Sequence, residues 1–277
     1  MWKIDKPSLA RAKGKDVREL VAGCNDLDDS VKQPLRALYN KYDQQGGTVT
    51  DAQLNTISAA QAKAIHDMYP KTYYPQALSY IRSELMSKVF KCPYCGIQEA
   101  NTLDHYMPES RYGALAVCRM NLVPMCGTCH NLKRTKPYNQ FVHCYYQDYP
   151  ANVDFFKAKV CVRKNRFVVS FDFDSAAIAD ATLEGKLRYQ STETRLFSRI
   201  KKEAMVFISG LCKECEVTTT AGLRSWLSRR LSNYEDTYGL NDWRCAIIRG
   251  MLTYPRLDIS LFIYNKTNPV RVNAGGA

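Results

Sequence analysis

The stretch CPYCGIQEANTLDHYMPES, residues 92 to 110, decides the fold at the centre of this chain. It begins with the pair Cys92 and Cys95, and eight residues separate this pair from an Asp-His dipeptide. A second pair with the same spacing, Cys126 and Cys129, follows downstream. Two Cys-x-x-Cys pairs supply the four thiolates that bind Zn²⁺ tetrahedrally in structural sites. The sequence therefore predicts a small unit organised around structural zinc.

The segment between the two pairs is longer than a simple zinc ribbon requires. It has 30 residues, against about 15 to 20 in the ribbon pattern, and it contains Asp104, His105 and Asn121. His130 directly follows the last cysteine. A carboxylate and an imidazole can hold a divalent cation against a phosphate. A second imidazole can take a proton from water, and an amide can orient that ring or hold its loop.

These residue types predict a one-metal phosphodiesterase site. His105 is the candidate base and Asp104 a candidate metal ligand. Neighbouring residues on a regular strand point to opposite faces. We therefore expect this dipeptide at a strand end or a distorted turn.

The series CPYCG, LDHYMPES, NLVPMC and CHNLK resembles the HNH (His-Me finger, ββα-metal) endonucleases of the zinc-knuckle type. A weaker likeness continues through FVHCYYQDYP and NDWRCAIIRG, and it resembles bacterial HNH proteins of phage-defence or mobile-element contexts. The resemblance implies His105 as general base, Asn121 as its support, and Asp104 and His130 as ligands of catalytic Mg²⁺ or Mn²⁺. It assigns the four knuckle cysteines to structural Zn²⁺. The adjacent Asn131 is an alternative to His130 as the ligand, and we expect His130.

Basic residues near this segment are candidates for contacts with nucleic acid. Lys133 and Arg134 lie three and four residues after His130, and Arg111 follows the Asp-His dipeptide. The whole chain carries 39 lysines and arginines against 27 acids, a formal net charge of +12. Such a balance favours a polyanionic partner, although a basic soluble protein without one is the alternative.

Other histidines and cysteines have a structural interpretation. We expect His143 to be packed, on a helix among aromatic residues, and not to bind metal. The third pair, Cys212 and Cys215, has no second pair nearby and is expected to be packed as well. The eleven cysteines do not indicate a disulfide framework, because a chain of this length needs none. With no signal-peptide pattern and no apolar run of membrane-spanning length, we expect a cytoplasmic protein that does not enter a membrane.

The predicted fold class is α+β: a mostly helical chain with a central zinc-stabilised ββα-metal HNH module and a short C-terminal β-hairpin followed by helices. Three regions are expected, namely an N-terminal helical region for docking or DNA grip, the HNH module, and a C-terminal α/β region for DNA or partner contacts. Their ranges are 1–90, 91–145 and 146–277.

Local patterns give the elements of the outer regions. Apolar residues at helical spacing run through Leu54, Ile57, Ala60 and Ala64, with Thr50 or Asp51 as a cap. The stretch KVCVRKNRFVVSFDF, residues 159 to 173, alternates as a hairpin with its turn near Lys164-Asn165. The basic residues at this turn, Arg163, Lys164 and Arg166, either lie along a phosphate backbone or are merely solvated. Helices are expected over 193–211, 221–231 and 240–253.

The sequence thus predicts a metal-dependent endonuclease that cuts DNA. One alternative is a zinc-dependent scaffold that binds nucleic acid and does not cut. Another is an effector subunit that is inactive without an ATPase or sensor partner.

Overall fold

The structure, a computed structural model, describes residues 3–147, 149–150 and 152–269. The chain divides into two units, Trp2–Tyr149 and Pro150–Ala277. The first unit contains both the N-terminal helices and the segment between the cysteine pairs. None of the helices in the described residues is long and apolar enough to span a membrane.

The first unit begins with helices and ends with a small hairpin and a short helix. Its elements are α1 (Leu9–Arg11), α2 (Val17–Ala22), α3 (Lys32–Gln44), α4 (Asp51–Leu54), α5 (Ala59–Asp67), α6 (Ser79–Met86), β1 (Thr102–His105), β2 (Leu122–Met125) and α7 (Gly127–Lys133). β1 and β2 pair antiparallel, with Asp104 opposite Val123 and His105 opposite Leu122. The order β1, β2, α7 is the ββα arrangement that the sequence predicts.

Side-chain caps divide the region where the sequence predicts one helix. Thr50 and Gln53 form a capping box at the start of α4, and Ser58 and Gln61 form a second one at α5. Each box satisfies backbone N–H groups that a helix start leaves without partners. The helix is therefore interrupted between Leu54 and Ala59, and Ala60 is exposed. The single apolar face predicted across this break is wrong, whereas the cap at Thr50 is confirmed.

The N-terminal helices and the segment between the cysteine pairs share buried polar contacts. Arg119 is 2% exposed, and its guanidinium lies 2.7 Å from Asp16 and 2.8 Å from Glu84. The hydroxyl of Tyr42 on α3 donates to Asn121 Oδ1 across 3.1 Å. A charge buried this deeply is stable only when it is paired. These contacts fix the hairpin against α3, the turns around α2, and α6.

The second unit is a two-stranded ribbon followed by helices. Its elements are β3 (Phe156–Arg163), β4 (Arg166–Phe173), α8 (Ser175–Ile178), α9 (Ala181–Glu193), α10 (Leu196–Glu214), α11 (Thr220–Tyr238), α12 (Trp243–Leu252) and α13 (Ile259–Thr267). The hairpin prediction is confirmed: the turn is Lys164-Asn165, with φ of 48° and 58°. With its two small antiparallel sheets, the chain is α+β.

The helix predictions for this unit are only partly right. α10, α11 and α12 lie near the three predicted ranges but begin and end at other residues, and α8, α9 and α13 are not predicted. The predicted start at Glu193 is wrong because Arg195 takes a left-handed conformation, φ 51°, between α9 and α10. Asp174, Asp180 and Asp258 cap the three helices that are not predicted, so a search for N-cap residues could have found all of them.

Candidate active site

The four knuckle cysteines form one buried cluster in the first unit. Their sulfur atoms all lie within 4.8 Å of one another, and Cys95 Sγ is 3.8 Å from Cys126 Sγ. A tetrahedral zinc site with Zn–S bonds of about 2.3 Å has sulfurs about 3.8 Å apart. Backbone N–H groups of Ile97 and Cys129 point at Cys95 Sγ and Cys126 Sγ, which suits negatively charged thiolates. The cluster has the donors, the spacing and the shielding that structural Zn²⁺ needs.

The knuckles position the rest of the site through short connections. Cys126 caps α7, which starts at the next residue, and Gly127 N donates to Asn101 Oδ1 just before β1. α7 is therefore tied to both the cysteine cluster and the start of β1. His130, on the first full turn of α7, consequently lies over the hairpin.

His105 is the last residue of β1, at the strand end where the sequence places it. Its Nε2 lies 2.9 Å from the Ala116 carbonyl oxygen and 3.3 Å from Glu109 Oε2. Both partners are acceptors, so Nε2 carries the proton and Nδ1 keeps its lone pair in the neutral ring. Burial lowers the pKa of His105 to about 4. The imidazole is therefore neutral at physiological pH, which is the form that accepts a proton.

An aromatic ring from the N-terminal region holds the other side of His105. The Tyr69 ring meets the imidazole edge-on, with centroids 4.5 Å apart. The Tyr69 hydroxyl donates to the Leu103 carbonyl across 3.2 Å and receives a hydrogen bond from Arg82. Tyr69 thus fixes the position of the ring relative to β1.

Asp104 and His130 point their ligand atoms toward each other. Asp104 Oδ1 lies 3.7 Å from His130 Nε2. His130 Nδ1 is 3.2 Å from Thr102 Oγ1, whose own proton goes to the Met125 carbonyl. Thr102 therefore accepts from Nδ1–H, which leaves the lone pair of Nε2 directed at a carboxylate oxygen. Two lone pairs at this separation suit a shared divalent cation that keeps further positions for water or phosphate.

Asn131, the alternative ligand, lies on the exposed side of α7. Its carbonyl accepts from Arg134 Nε across 3.0 Å. The structure thus brings His130 to Asp104.

Lys133 lies inside the site and not on its surface. The side chain is fully buried, and its Nζ is 2.9 Å from Asp104 Oδ2. The same ammonium donates to the carbonyls of His105 and Tyr106, across 2.8 and 3.3 Å. Burial raises the pKa of Asp104, and the charge of Lys133 opposes that rise. The sequence suggested a phosphate contact for Lys133, whereas here it supports the carboxylate and the strand end.

The two other candidate phosphate contacts are exposed. Arg134 follows α7 with φ 47°, so it leaves the helix face that it was expected to share with His130. Arg111 lies against the ring of Tyr112, with 5.3 Å between guanidinium carbon and ring centroid. It lines a cleft of about 640 Å³ between α4–α5 and the segment after β1. Glu109 and His66 line the same cleft, which therefore reaches the neighbourhood of His105.

Asn121 holds the loop that carries His105 and does not touch the imidazole in any hydrogen bond described. Its Oδ1 accepts from Met107 N across 2.8 Å, and its Nδ2 donates to the carbonyls of Met107 and Leu115. Met107 follows the base by two residues, and Leu115 precedes the carbonyl that receives Nε2–H. Asn121 therefore fixes both the loop and the acceptor of His105.

The residues interpreted as structural are indeed packed. His143 is 3% exposed, and its ring lies 4.0 Å from that of Tyr106, although residues 141–147 form turns and not the predicted helix. Cys212 and Cys215 are buried near the end of α10. The only group of three or more possible metal-binding Cys, His, Asp or Glu side chains in the described residues is the four-cysteine cluster.

Comparison with known proteins gives one family. Residues 92–136 match the model of the family described as HNH endonuclease, which is 45 of the 277 residues. No curated protein and no solved structure matches the chain. The matched range begins at the first knuckle cysteine and ends three residues after α7, so it coincides with the geometric site. It supports a nuclease-type function with nucleic acid as substrate.

Proposed function

We propose that this chain is a metal-dependent DNA endonuclease acting in the cytoplasm. The observation that carries the proposal is the arrangement around Asp104 and His105, which are adjacent on β1 and face opposite ways. Asp104 points to His130 across 3.7 Å, and His105 is held as a neutral base by Ala116 and Tyr69. One residue pair at the end of β1 thus supplies a cation site and a proton acceptor, which in this proposal act on the same phosphate.

The roles follow from the tautomers. His105 Nδ1 takes a proton from a water molecule, whose oxygen attacks phosphorus, while Nε2–H stays bonded to the Ala116 carbonyl. The bond from phosphorus to the 3′ oxygen breaks, and the leaving oxygen takes a proton from solvent water, which gives a 5′-phosphate and a 3′-hydroxyl. Asp104 and His130 would hold a Mg²⁺ or Mn²⁺ ion, which would stabilise the charge on the phosphate and on the leaving oxygen. Asn121 and Tyr69 keep the base in place.

Zinc has a separate role in this proposal. The four cysteine sulfurs occupy all four ligand positions of a tetrahedral zinc ion, as in structural sites, so none is left open for water or substrate. It holds α7, and with it His130, against the hairpin. The N-terminal helices 1–90 and the region 146–277 then serve docking, DNA grip or partner contacts.

The test is nicking and linearisation of supercoiled plasmid DNA with Mg²⁺ or Mn²⁺. His105→Ala should reduce the cutting rate by about two to four orders of magnitude, the usual contribution of a general base. The matched control is His66→Ala, which removes a more exposed histidine at the same cleft. Cutting that survives in His105→Ala, or that is lost equally in His66→Ala, would contradict the assignment of the base.

An anti-phage or mobile-element setting and an ATPase or sensor partner remain predictions from the resemblance. Co-purification of the tagged chain from its native cells tests the partner. If the isolated chain cuts plasmid efficiently with no other protein added, a partner is not obligatory. A chain that binds DNA with or without His105 and never cuts it would favour the scaffold alternative.

A further inference from the structure

The β3–β4 ribbon of the second unit has two faces of different character. The paired positions Lys159 and Ser170, and Arg163 and Arg166, point to one side. The alternate positions, such as Val160 and its partner Val169, point to the other side and are buried. We call the first side the outer face. It includes exposed Lys159, Arg163, Val168 and Ser170.

The inner face is covered by the helices of the same unit. α12 approaches β3 so closely that a Cβ on Gly250 would lie 2.3 Å from the Ala158 carbonyl oxygen. The rings of Phe156 and Phe171 stack 5.6 Å apart on this side. The ribbon is therefore anchored by its apolar face, and its outer face has no part in the core.

Positive charge collects at the turn end of the outer face. Lys159, Arg163 and the turn residue Lys164 form no ion pair within the part of the chain that the structure describes. The acid on the outer face, Asp172, lies at the opposite end and is paired with Arg188 across 2.8 Å. Lys157, also at that end, is paired with Asp154 across 2.8 Å. The turn end is therefore a concentrated and unneutralised cationic surface.

Two details of the turn end are unfavourable for the protein alone. Arg163 and Arg166 are directly opposite each other in the ladder, and like charges in that position destabilise a sheet. Lys164 has φ 48°, in the left-handed region where a two-residue hairpin turn prefers Asn or Gly. An anion that binds between the side chains of Arg163 and Arg166 would offset the repulsion between them.

We propose that the turn end of the ribbon, Lys159, Arg163, Lys164 and Arg166, binds phosphate groups of double-stranded DNA without reading its sequence. A two-stranded ribbon is narrow enough for the major groove, about 12 Å wide, or can lie along the backbone. The choice of DNA as the anion rests on the proposed nuclease function. The charge and the exposure of the surface do not depend on it.

The test is the salt dependence of DNA binding, measured by fluorescence anisotropy with a short labelled duplex of arbitrary sequence. All proteins are full-length and carry His105→Ala, so that binding is separated from cutting. The ribbon variant carries Lys159→Gln, Arg163→Gln and Lys164→Asn. Arg166 is left intact because it bonds to the Asn268 carbonyl and lies over the Tyr264 ring. Asn suits the turn conformation, so thermal melting should show a variant at least as stable as its parent.

Each phosphate contact contributes about 0.9 to the slope of log K against log salt concentration. Loss of three contacts should therefore reduce the magnitude of the slope by about 2.7. The control variant, Lys186→Gln, Lys213→Gln and Arg256→Gln, removes the same charge from α9, α10 and the segment before α13. It should keep the slope of the parent.

Three results would overturn the proposal: equal slopes for ribbon variant and parent, an equal loss in the control, or no binding of duplex DNA by the parent. Cutting is assayed separately in chains that retain His105. A ribbon-dependent slope in a chain that never cuts plasmid would leave this proposal standing and count against the nuclease. Normal plasmid cutting together with an unchanged slope in the ribbon variant would support the nuclease and count against the ribbon as a DNA-binding surface.

Discussion

Lys133 Nζ lies 2.9 Å from Asp104 Oδ2, in an ion pair between side chains that are 0% and 3% exposed. The second oxygen of the same carboxylate, Oδ1, faces His130. Asp104 therefore has one oxygen against a fixed ammonium and one directed at the imidazole of His130. The ammonium opposes the rise in the pKa of Asp104 that burial causes, and it orients the carboxylate.

Replacement of Lys133 should destabilise the protein strongly. Lys133→Met leaves the Asp104 carboxylate buried without its partner, a change that costs about 3 to 5 kcal/mol in comparable buried pairs. Chemical denaturation followed by circular dichroism measures the free energy of unfolding. Lys88→Met, at an exposed lysine, is the control and should change it little. Equal stability of the two variants would show that the pair does not hold the strand end.

The metal requirement should distinguish His130 from its neighbour. His130→Ala removes the nitrogen that faces Asp104, so the Mg²⁺ or Mn²⁺ concentration for half-maximal cutting should rise at least about tenfold. Asn131→Ala, on the exposed side of α7, should leave that concentration unchanged. The opposite result would assign the second ligand to Asn131.

Zinc content should follow the knuckle cysteines alone. Metal analysis of the purified protein should find close to one zinc per chain, and Cys92→Ser should lower that value and open α7 to hydrogen exchange. The control is Cys161→Ser, at a half-buried cysteine in the ribbon, which should retain the metal. A zinc-free wild-type chain with a protected α7 would exclude a structural role for the metal.

Acid should destabilise the fold through His105. Its pKa is about 6.5 in an unfolded chain and about 4 when folded, so between these values the unfolded state binds more protons. Above about pH 6.5 this residue should not change the free energy of unfolding. As the pH drops toward 4, its protonation in the unfolded state should lower that free energy by roughly 3 kcal/mol in total.

The comparison that isolates this effect is wild type against His105→Gln, with unfolding measured at each pH and no divalent ion added. The variant should lose the part of the pH dependence that lies between about pH 6.5 and 4. Parallel curves for the two proteins would mean that the imidazole is already solvated in the folded state.

The active-site motif and the ribbon were accessible from sequence because their signals are local. The spacing of Cys92 and Cys95 brings two sulfurs together within one turn of chain, whatever surrounds them. The position of His105 at a strand end follows from the opposite directions of neighbouring side chains. The Lys164-Asn165 turn follows from the alternation of apolar residues on both sides of it.

Contacts between distant segments were not accessible in this way. Tyr69 and Ala116 hold His105 from different parts of the chain, and neither belongs to a motif. Tyr42 reaches Asn121 from 79 residues away. Glu109 is only four residues from His105, but its approach to Nε2 depends on the path of the loop that Asn121 fixes.

Lys133 shows most clearly which properties of a residue follow from its sequence position and which follow from tertiary packing. Its position three residues after His130 determined that both side chains share one side of α7. Whether that side faces solvent phosphate or the buried carboxylate of Asp104 depends on how α7 packs on the hairpin. A helix repeats its own geometry from local bonds alone, but the direction of its faces is set by the burial of groups that are remote in the chain. Sequence therefore determined which residues lie together in the candidate site, and packing decided which of their side chains are exposed and which are buried against the others.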